Sequence, residues 1–269
     1  MPHVMKAGDH SRTGARPDAA GLDTRWMISS DLGGARHGMI GELELAPEAT
    51  EPLHRHANAD EAAFVLSGSA TVLGADGEQP APAGTLILSS RGIWHGIRAG
   101  DEPTSVLLIY GGENTLDAFA VELAGRDAAG AAPRTINAAE LTPHPNHNPE
   151  MGFFNMAANF LVSEDGLPDA ELVVGAAHYG TPDPKGGHAL HRHPAAEEFL
   201  YIRGGRASHL MAEGSIAMGP GDIAFIPTGE WHGIWNESES ATQSVFGYLG
   251  IASLQAGGYE LAENAKTPG

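Results

Sequence analysis

Histidine and glutamate recur in this sequence with spacings that suit a metal centre. Two sets share a His-x-His pair, a glutamate five residues later and a histidine 34 residues after that: His54, His56, Glu61 and His95, then His191, His193, Glu198 and His232. Alternate side chains of a strand point to one face, so both imidazoles of a pair can face the same point. Three neutral imidazoles and one carboxylate suit Fe(II), Mn(II), Ni(II), Co(II) or Cu(II) and leave two positions of a six-coordinate ion open. The pattern therefore predicts one divalent transition metal per set, in a site built for chemistry.

The two sets belong to an internal duplication. Corresponding positions lie 137 residues apart throughout, from His54 and His191 at the first ligand to His95 and His232 at the last. A constant offset without insertions predicts two copies of one domain. Helical spacing of apolar residues within 113–125 predicts a short helix between the copies. The predicted organisation is an N-terminal arm (1–36), a first domain (37–112), a connector with that helix (113–150) and a second domain (151–269).

Short apolar runs separated by turn residues fill both copies. The chain has 36 glycines and 18 prolines, and its apolar runs, such as AAFVLSG and EFLYIRGG, are only a few residues long. Runs of this length between Gly and Pro punctuation are typical of strands in an all-β sandwich or barrel. The elements that position the histidines are therefore predicted to be strands and tight turns.

The chain resembles the bicupins, tandem proteins of the cupin superfamily. The motifs of that family are G(X)5HXH(X)3,4E(X)6G and G(X)5PXG(X)2H(X)3N, and the second copy carries the latter in full at Gly221, Pro227, Gly229, His232 and Asn236. The first copy has Ser90 and Ala99 where that motif has Pro and Asn, but it keeps every ligand. The resemblance implies an all-β fold of two tandem jelly-roll (double-stranded β-helix) barrels with a short helical or irregular connector. It also implies that the eight ligands named above bind one metal ion per barrel.

The resemblance is closest, in ligand pattern, to the quercetin dioxygenase-like cupins. Oxalate decarboxylase-like bicupins have an arginine three residues before the first histidine, where this chain has Glu51 and His188. We therefore predict a metal-dependent dioxygenase acting on a small enolic, phenolic or β-dicarbonyl-type substrate, with Glu61 or Glu198 as metal ligand or general base. Two alternatives stay open: an isomerase or decarboxylase that needs the metal but no O₂, and a non-catalytic cupin that binds a small ligand or stores metal.

Strand alternation also predicts which residues line the two substrate pockets. Counting from the glutamates, Ala63 and Val65 face inward in the first copy, and Leu200 and Ile202 face inward in the second. Because the first copy has the smaller Ala63 where the second has Leu200, we predict a roomier cavity in the first copy.

Charge and composition limit the partners. With 15 Lys and Arg against 34 Asp and Glu, the formal charge is −19, which argues against nucleic acid and against anionic membrane surfaces. The chain has no cysteine, no apolar run near the ~18 residues of a membrane span, and no apolar signal segment at its start. We expect a cytoplasmic protein whose partners are a small-molecule substrate and O₂. A homodimer is compatible with the fold, since cupin-like sheets commonly pair.

Overall fold

Strands dominate both halves of the protein. The structure is a computed structural model that describes residues 3–8, 13–15, 22–115, 120–125, 128–163, 170–181, 185–263 and 265. The strands of the first half are β1 (His3–Met5), β2 (Thr13–Ala15), β3 (Asp23–Ile28), β4 (Gly38–Leu45), β5 (His54–His56), β6 (Asp60–Ser67), β7 (Ser69–Gly74), β8 (Gly77–Pro82), β9 (Thr85–Ser89), β10 (His95–Ala99), β11 (Thr104–Gly111), β12 (Val121–Leu123) and β13 (Arg134–Asn137).

The second half repeats the pattern with a helical turn near its end. Its strands are β14 (His144–Asn148), β15 (Phe153–Val162), β16 (Leu172–Tyr179), β17 (Gly187–Arg192), β18 (Glu197–Gly204), β19 (Ala207–Met211), β20 (Gly214–Met218), β21 (Ile223–Ile226), β22 (His232–Asn236), β23 (Thr242–Leu249) and β24 (Glu260–Leu261). The described helices are two 3₁₀ turns, Ala138–Glu140 and Pro149–Met151, and α1 (Leu254–Gly257). None of the helices in the described part of the chain is long and apolar enough to cross a membrane.

The chain divides into two units. One comprises residues 10–141, and the other comprises residues 1–9 together with 142–269. In the first unit, a seven-stranded sheet (β13-β9-β6-β11-β4-β3-β2) and a five-stranded sheet (β12-β5-β10-β7-β8) enclose an apolar core that includes Leu43, Val65 and Ile97. In the second, twelve strands form one continuous sheet around Val173, Ile202 and the other core residues. The predicted all-β fold of two tandem jelly-roll barrels is confirmed.

The described parts of the predicted N-terminal arm include three strands of the two barrels. Strand β3 pairs with β4, and its Trp26 and Ile28 are 1% and 0% exposed. Strand β1 pairs with β21 of the second unit, where Lys6 forms an ion pair with Asp222 at 2.9 Å. Residues 1–36 therefore contribute to both barrels in the described stretches.

The connector is also more regular than predicted. Val121–Leu123, inside the predicted helix, is strand β12, with Val121 opposite His56 and Leu123 opposite His54. This part of the helix prediction is wrong, because hydrogen bonds to the edge of β5 outweigh the local apolar spacing. Residues 116–119 of that prediction lie outside the described part of the chain. Strand β13 pairs with β9 and β14 pairs with β15, so the connector also adds strands to the sheets.

Candidate metal centres and the cavity of the second barrel

The first His/Glu set comes together inside the first barrel. His54 and His56 point inward from β5, Glu61 comes from β6, and His95 begins β10 directly opposite His54. Glu61 Oε2 lies 3.0 Å from His56 Nε2 and 3.2 Å from His95 Nε2. These four residues, predicted from spacing alone, form one cluster that is at most 3% exposed.

The second set forms the equivalent cluster in the second barrel. His191 lies on β17 opposite His232 at the start of β22, and Glu198 lies on β18. Glu198 Oε2 is 2.7 Å from His232 Nε2 and 3.2 Å from His193 Nε2. In both clusters, the candidate ligand atoms all lie within 4.8 Å of one another. The structure thus brings together all eight predicted ligands, four in each barrel.

The imidazoles are oriented to present Nε2 to the centre of each cluster. His191 Nδ1 faces the carbonyl oxygen of Ala189 at 2.7 Å, and His193 Nδ1 faces that of Gly258 at 2.7 Å. A carbonyl oxygen only accepts, so Nδ1 carries the proton and Nε2 keeps its lone pair. The Nε2 atom of His191 is buried without a hydrogen-bond partner among the described residues. Outer-shell carbonyls of this kind orient metal-binding histidines, so both clusters suit a divalent metal ion, one per barrel.

The pKa values of His191 and Glu198 are shifted toward the protonation states that bind a cation. Burial and the neighbouring histidines hold the pKa of His191 well below its usual range. Burial alone would raise the pKa of Glu198, but His232 and His193 outweigh it and lower that pKa well below its usual range. Neutral imidazole and ionised carboxylate are the forms that ligate a metal.

The second centre opens onto a cavity. The side chain of Glu198 is 11% exposed, whereas that of Glu61 in the first centre is 1% exposed. A cavity of about 330 Å³ reaches Glu198 and is lined by Asn146, Phe153, Met156, Ala158, Phe160, Tyr179, His188, His193, Glu198, Phe246, Tyr248, Leu254, Gly258 and Tyr259. The second centre can therefore receive a small molecule beside its carboxylate.

The four predicted pocket residues point inward but lie in the hydrophobic cores. Ala63 and Val65 belong to the core of the first barrel, and Leu200 and Ile202 belong to the core of the second. Leu200 and Ile202 are not among the residues that line the cavity of the second barrel, and the prediction for Ala63 and Val65 in the first barrel stays a prediction. The alternation of side chains gave the correct face of each strand. It could not show how far along the barrel axis the cavity extends.

Sequence reasoning missed the cavity walls. Phe153 was placed at the start of the second domain without a role, and Tyr259 comes from the segment after the last motif. Tyr259 packs against His191 with ring centroids 5.3 Å apart, and its hydroxyl lies 3.0 Å from His188 Nε2. These aromatic residues are scattered along the sequence, and no spacing connects them with the motifs.

The duplication extends to the outer face of each His-x-His strand. The arginine between the paired histidines forms an ion pair with a glutamate on the neighbouring strand and lies over the ring of a tryptophan. These groups are Arg55, Glu122 and Trp94 in the first barrel, and Arg192, Glu260 and Trp231 in the second. Their outward orientation agrees with the alternation that points the histidines inward.

Comparisons with known proteins agree with this architecture. The structure is similar to that of oxalate decarboxylase from Lactobacillus farciminis in its formate complex, with a TM-score of 0.68 and 20% identity, over 93% of this chain and 87% of that one. It is also similar to a variant of Bacillus subtilis oxalate decarboxylase, with a TM-score of 0.70 and 15% identity, over 96% of this chain and 78% of that one. A search of curated proteins gives no match.

The family comparison identifies both repeats. The family model described as "Cupin domain" matches residues 41–110 and, a second time, residues 179–246. Each matched segment carries the glutamate and all three histidines of one centre. The chain therefore belongs to the cupin family, as a tandem of two cupin domains with one three-histidine, one-glutamate centre in each.

Proposed function

We propose that the second barrel is the catalytic half of a metal-dependent decarboxylase or isomerase that works without O₂. The observation that carries this proposal is the position of Glu198, whose carboxylate belongs to the buried centre and also lines the cavity. A group in that position can exchange a proton with a molecule bound in the cavity. In the first barrel, the more deeply buried Glu61 lacks this exposure.

In this proposal, a bound ion would act as the Lewis acid and Glu198 transfers the proton. A divalent ion held by His191, His193, His232 and Glu198 would supply a Lewis acid that polarises a substrate carbonyl or carboxylate. Glu198 then accepts the proton from the carbon next to that carbonyl and returns it to another carbon, which isomerises the substrate. In a decarboxylation, CO₂ leaves, and the Glu198 carboxylate takes up a proton from the solvent and passes it to the carbon that CO₂ has left. The apolar lining limits water around the reacting carbon.

The solved structures that this chain resembles support decarboxylation as a reaction class, but the cavity does not favour oxalate. Among the described lining residues there is no lysine or arginine to bind a second carboxylate. His188 lies where the decarboxylase-like bicupins have their arginine, and burial lowers its pKa to about 3, so it is neutral at pH 7. We therefore propose the reaction class without that substrate.

A dioxygenase is the second candidate. The apolar cavity beside the second centre favours it, because O₂ and an enolic or phenolic substrate both partition into such surroundings. The two reactions differ in one measurable respect, since a dioxygenase consumes one O₂ per turnover and a decarboxylase or isomerase consumes none.

The test uses metal-loaded protein and a panel of enolisable carbonyl acids in D₂O. Under argon, we expect deuterium incorporation or CO₂ release, followed by NMR and mass spectrometry. Glu198→Gln should lower the rate by about 10²–10⁴-fold, the usual contribution of a positioned proton-transfer group, while its matched control Glu61→Gln stays near wild type. Turnover that requires stoichiometric O₂ would establish the second candidate, and loss of activity in Glu61→Gln alone would assign catalysis to the first barrel.

A further inference from the structure

We propose that the second barrel takes a monoanionic carbonyl acid that carries a single aromatic ring. This inference rests on the assignment of catalysis to the second barrel and names the class of molecule that its cavity fits. Three properties of the cavity carry it: the rings that line it, the charge that it can balance, and its size.

Aromatic rings are concentrated in this cavity. Only 6% of the chain is aromatic, yet six of the fourteen lining residues are Phe or Tyr: Phe153, Phe160, Tyr179, Phe246, Tyr248 and Tyr259. A bound ring could stack on such side chains or meet them edge to face, the two arrangements that aromatic pairs prefer. The lining therefore favours a flat, unsaturated body over a purely polar acid.

Several of these rings are held in fixed, nearly parallel planes. Phe153 stacks on His188 with centroids 4.2 Å apart, and the planes of His188 and Tyr259 differ by 6°. His188 Nε2 donates to the hydroxyl of Tyr259, which in turn donates to the carbonyl oxygen of Met151. These hydrogen bonds fix the rings before a ligand arrives, so less entropy is lost on binding.

One ring, that of Phe246, is a feature of the second barrel, whereas Tyr248 opposite Glu198 has an aromatic counterpart in Tyr110 opposite Glu61. Phe246 pairs with Leu200, whereas Leu108 takes that place opposite Ala63 in the first barrel. Leu108 is fully buried in the core of the first barrel and is not aromatic. The aromatic lining is therefore only partly a consequence of the duplicated fold.

The charge of the site matches one anionic group. A divalent cation together with the Glu198 carboxylate leaves one net positive charge, since the three histidine ligands are neutral when they bind metal. The described lining residues include no lysine or arginine. One substrate carboxylate is therefore balanced, whereas a second would stay unpaired in an apolar cavity, which is costly.

The size of the cavity suits a ligand with one ring. About 330 Å³ lies at the lower end of the ~300–1,000 Å³ typical of small-molecule sites. An acid with one ring would be largely enclosed in a cavity of this size.

The test compares three acids that bind metal through similar oxygen atoms. Phenylpyruvate carries a ring, pyruvate has a hydrogen in its place, and oxalate has a second carboxylate. Isothermal titration calorimetry of the metal-loaded His54→Ala/His56→Ala variant reports on the second barrel alone. We expect phenylpyruvate to bind at least about tenfold more tightly than either other acid, a difference of about 1.4 kcal/mol.

Two neighbouring phenylalanines provide a matched pair of variants. Phe153 lines the cavity, while Phe154 packs on Trp235 with ring centroids 5.4 Å apart and is not a lining residue. Phe153→Leu should weaken phenylpyruvate binding about three- to tenfold and leave pyruvate binding unchanged. Phe154→Leu should change neither.

Each outcome bears on a defined claim. Equal affinity for phenylpyruvate and pyruvate, tighter binding of oxalate, or equal effects of the two Phe variants would overturn the proposed substrate class. Tight, Phe153-dependent binding without any proton exchange or CO₂ release would support the substrate class and contradict the proposed reaction. Turnover of pyruvate without preferential binding of phenylpyruvate would support the proposed reaction and contradict the substrate class.

Discussion

At the scale of single residues, His209 is a polar side chain buried inside the second barrel. It is 0% exposed, and neither ring nitrogen has a hydrogen-bond partner within the described structure. Burial lowers its pKa to about 4, so the side chain is neutral at pH 7. The equivalent residue of the first barrel is Val72, since Val72 pairs with Ile97 as His209 pairs with Ile234. The fold itself therefore does not require histidine at this position.

Replacing His209 with valine should stabilise the second barrel. A buried polar group without a partner costs about 1–3 kcal/mol, so we expect His209→Val to raise the free energy of unfolding by a similar amount at pH 7.5. The pKa of about 4 lies below the usual 6.5, so the unfolded chain takes up a proton first as the pH falls. Stability of the wild type should thus drop between about pH 6.5 and 4, by up to about 1.4 kcal/mol per pH unit from this residue, and the variant should lack that component.

Urea denaturation of the metal-loaded proteins across this pH range measures both effects. The reciprocal variant, Val72→His, is the control and should destabilise the first barrel. A His209→Val protein less stable than the wild type at every pH would mean that His209 has a bound partner, such as an internal water molecule, that it stabilises.

At the scale of elements, the sequence predicted what short-range patterns encode. Alternation on β5 and β17 placed the paired histidines on one face, and the five-residue spacing predicted that Glu61 and Glu198 join them. The segments whose role depends on distant pairing were not predicted, because no local spacing specifies a partner far away in the chain. Strand β12 was taken for helix, and α1 and β24 were not predicted at all.

The segment after α1 completes the second centre. The carbonyl of Gly258 orients His193, the ring of Tyr259 packs on the histidines, and β24 pairs with β17 beside His191. A segment that holds ligands in place in this way affects metal affinity without contributing a ligand itself.

Removing residues 258–269 should therefore weaken metal binding at the second centre. We expect a loss of about 10–100-fold in affinity there, the usual effect of losing outer-shell partners, and no change at the first centre. Competition with a chromophoric chelator measures both affinities in one chain. A chain truncated after residue 263 is the control and should bind like the wild type. Equal losses at both centres would indicate general unfolding instead of a local effect.

At the scale of the whole molecule, the duplication has produced two similar centres that differ in how accessible their ligands are to a small molecule. The ligands of the first are sealed, with Glu61 and His56 each 1% exposed and His56 packed edge-on against buried Tyr110 at 5.5 Å. In the second, Glu198 contributes to the cavity wall. A metal ion in the sealed centre links strands of one barrel and stabilises the folded state, whereas an ion beside the cavity can also meet a substrate.

Removing each centre separately should separate these two roles. The wild type is expected to bind about two metal ions per chain, and His54→Ala/His56→Ala and His191→Ala/His193→Ala should each bind one, as measured by elemental analysis after purification without added metal or chelator. Turnover should disappear only in the second variant. At a metal concentration 100 times the Kd, a bound ion contributes about 2.7 kcal/mol to stability, so each variant should also unfold at a lower temperature than the wild type. Turnover that survives in His191→Ala/His193→Ala and disappears in His54→Ala/His56→Ala would contradict the argument from access, since it would place the chemistry in the barrel whose carboxylate is almost completely buried.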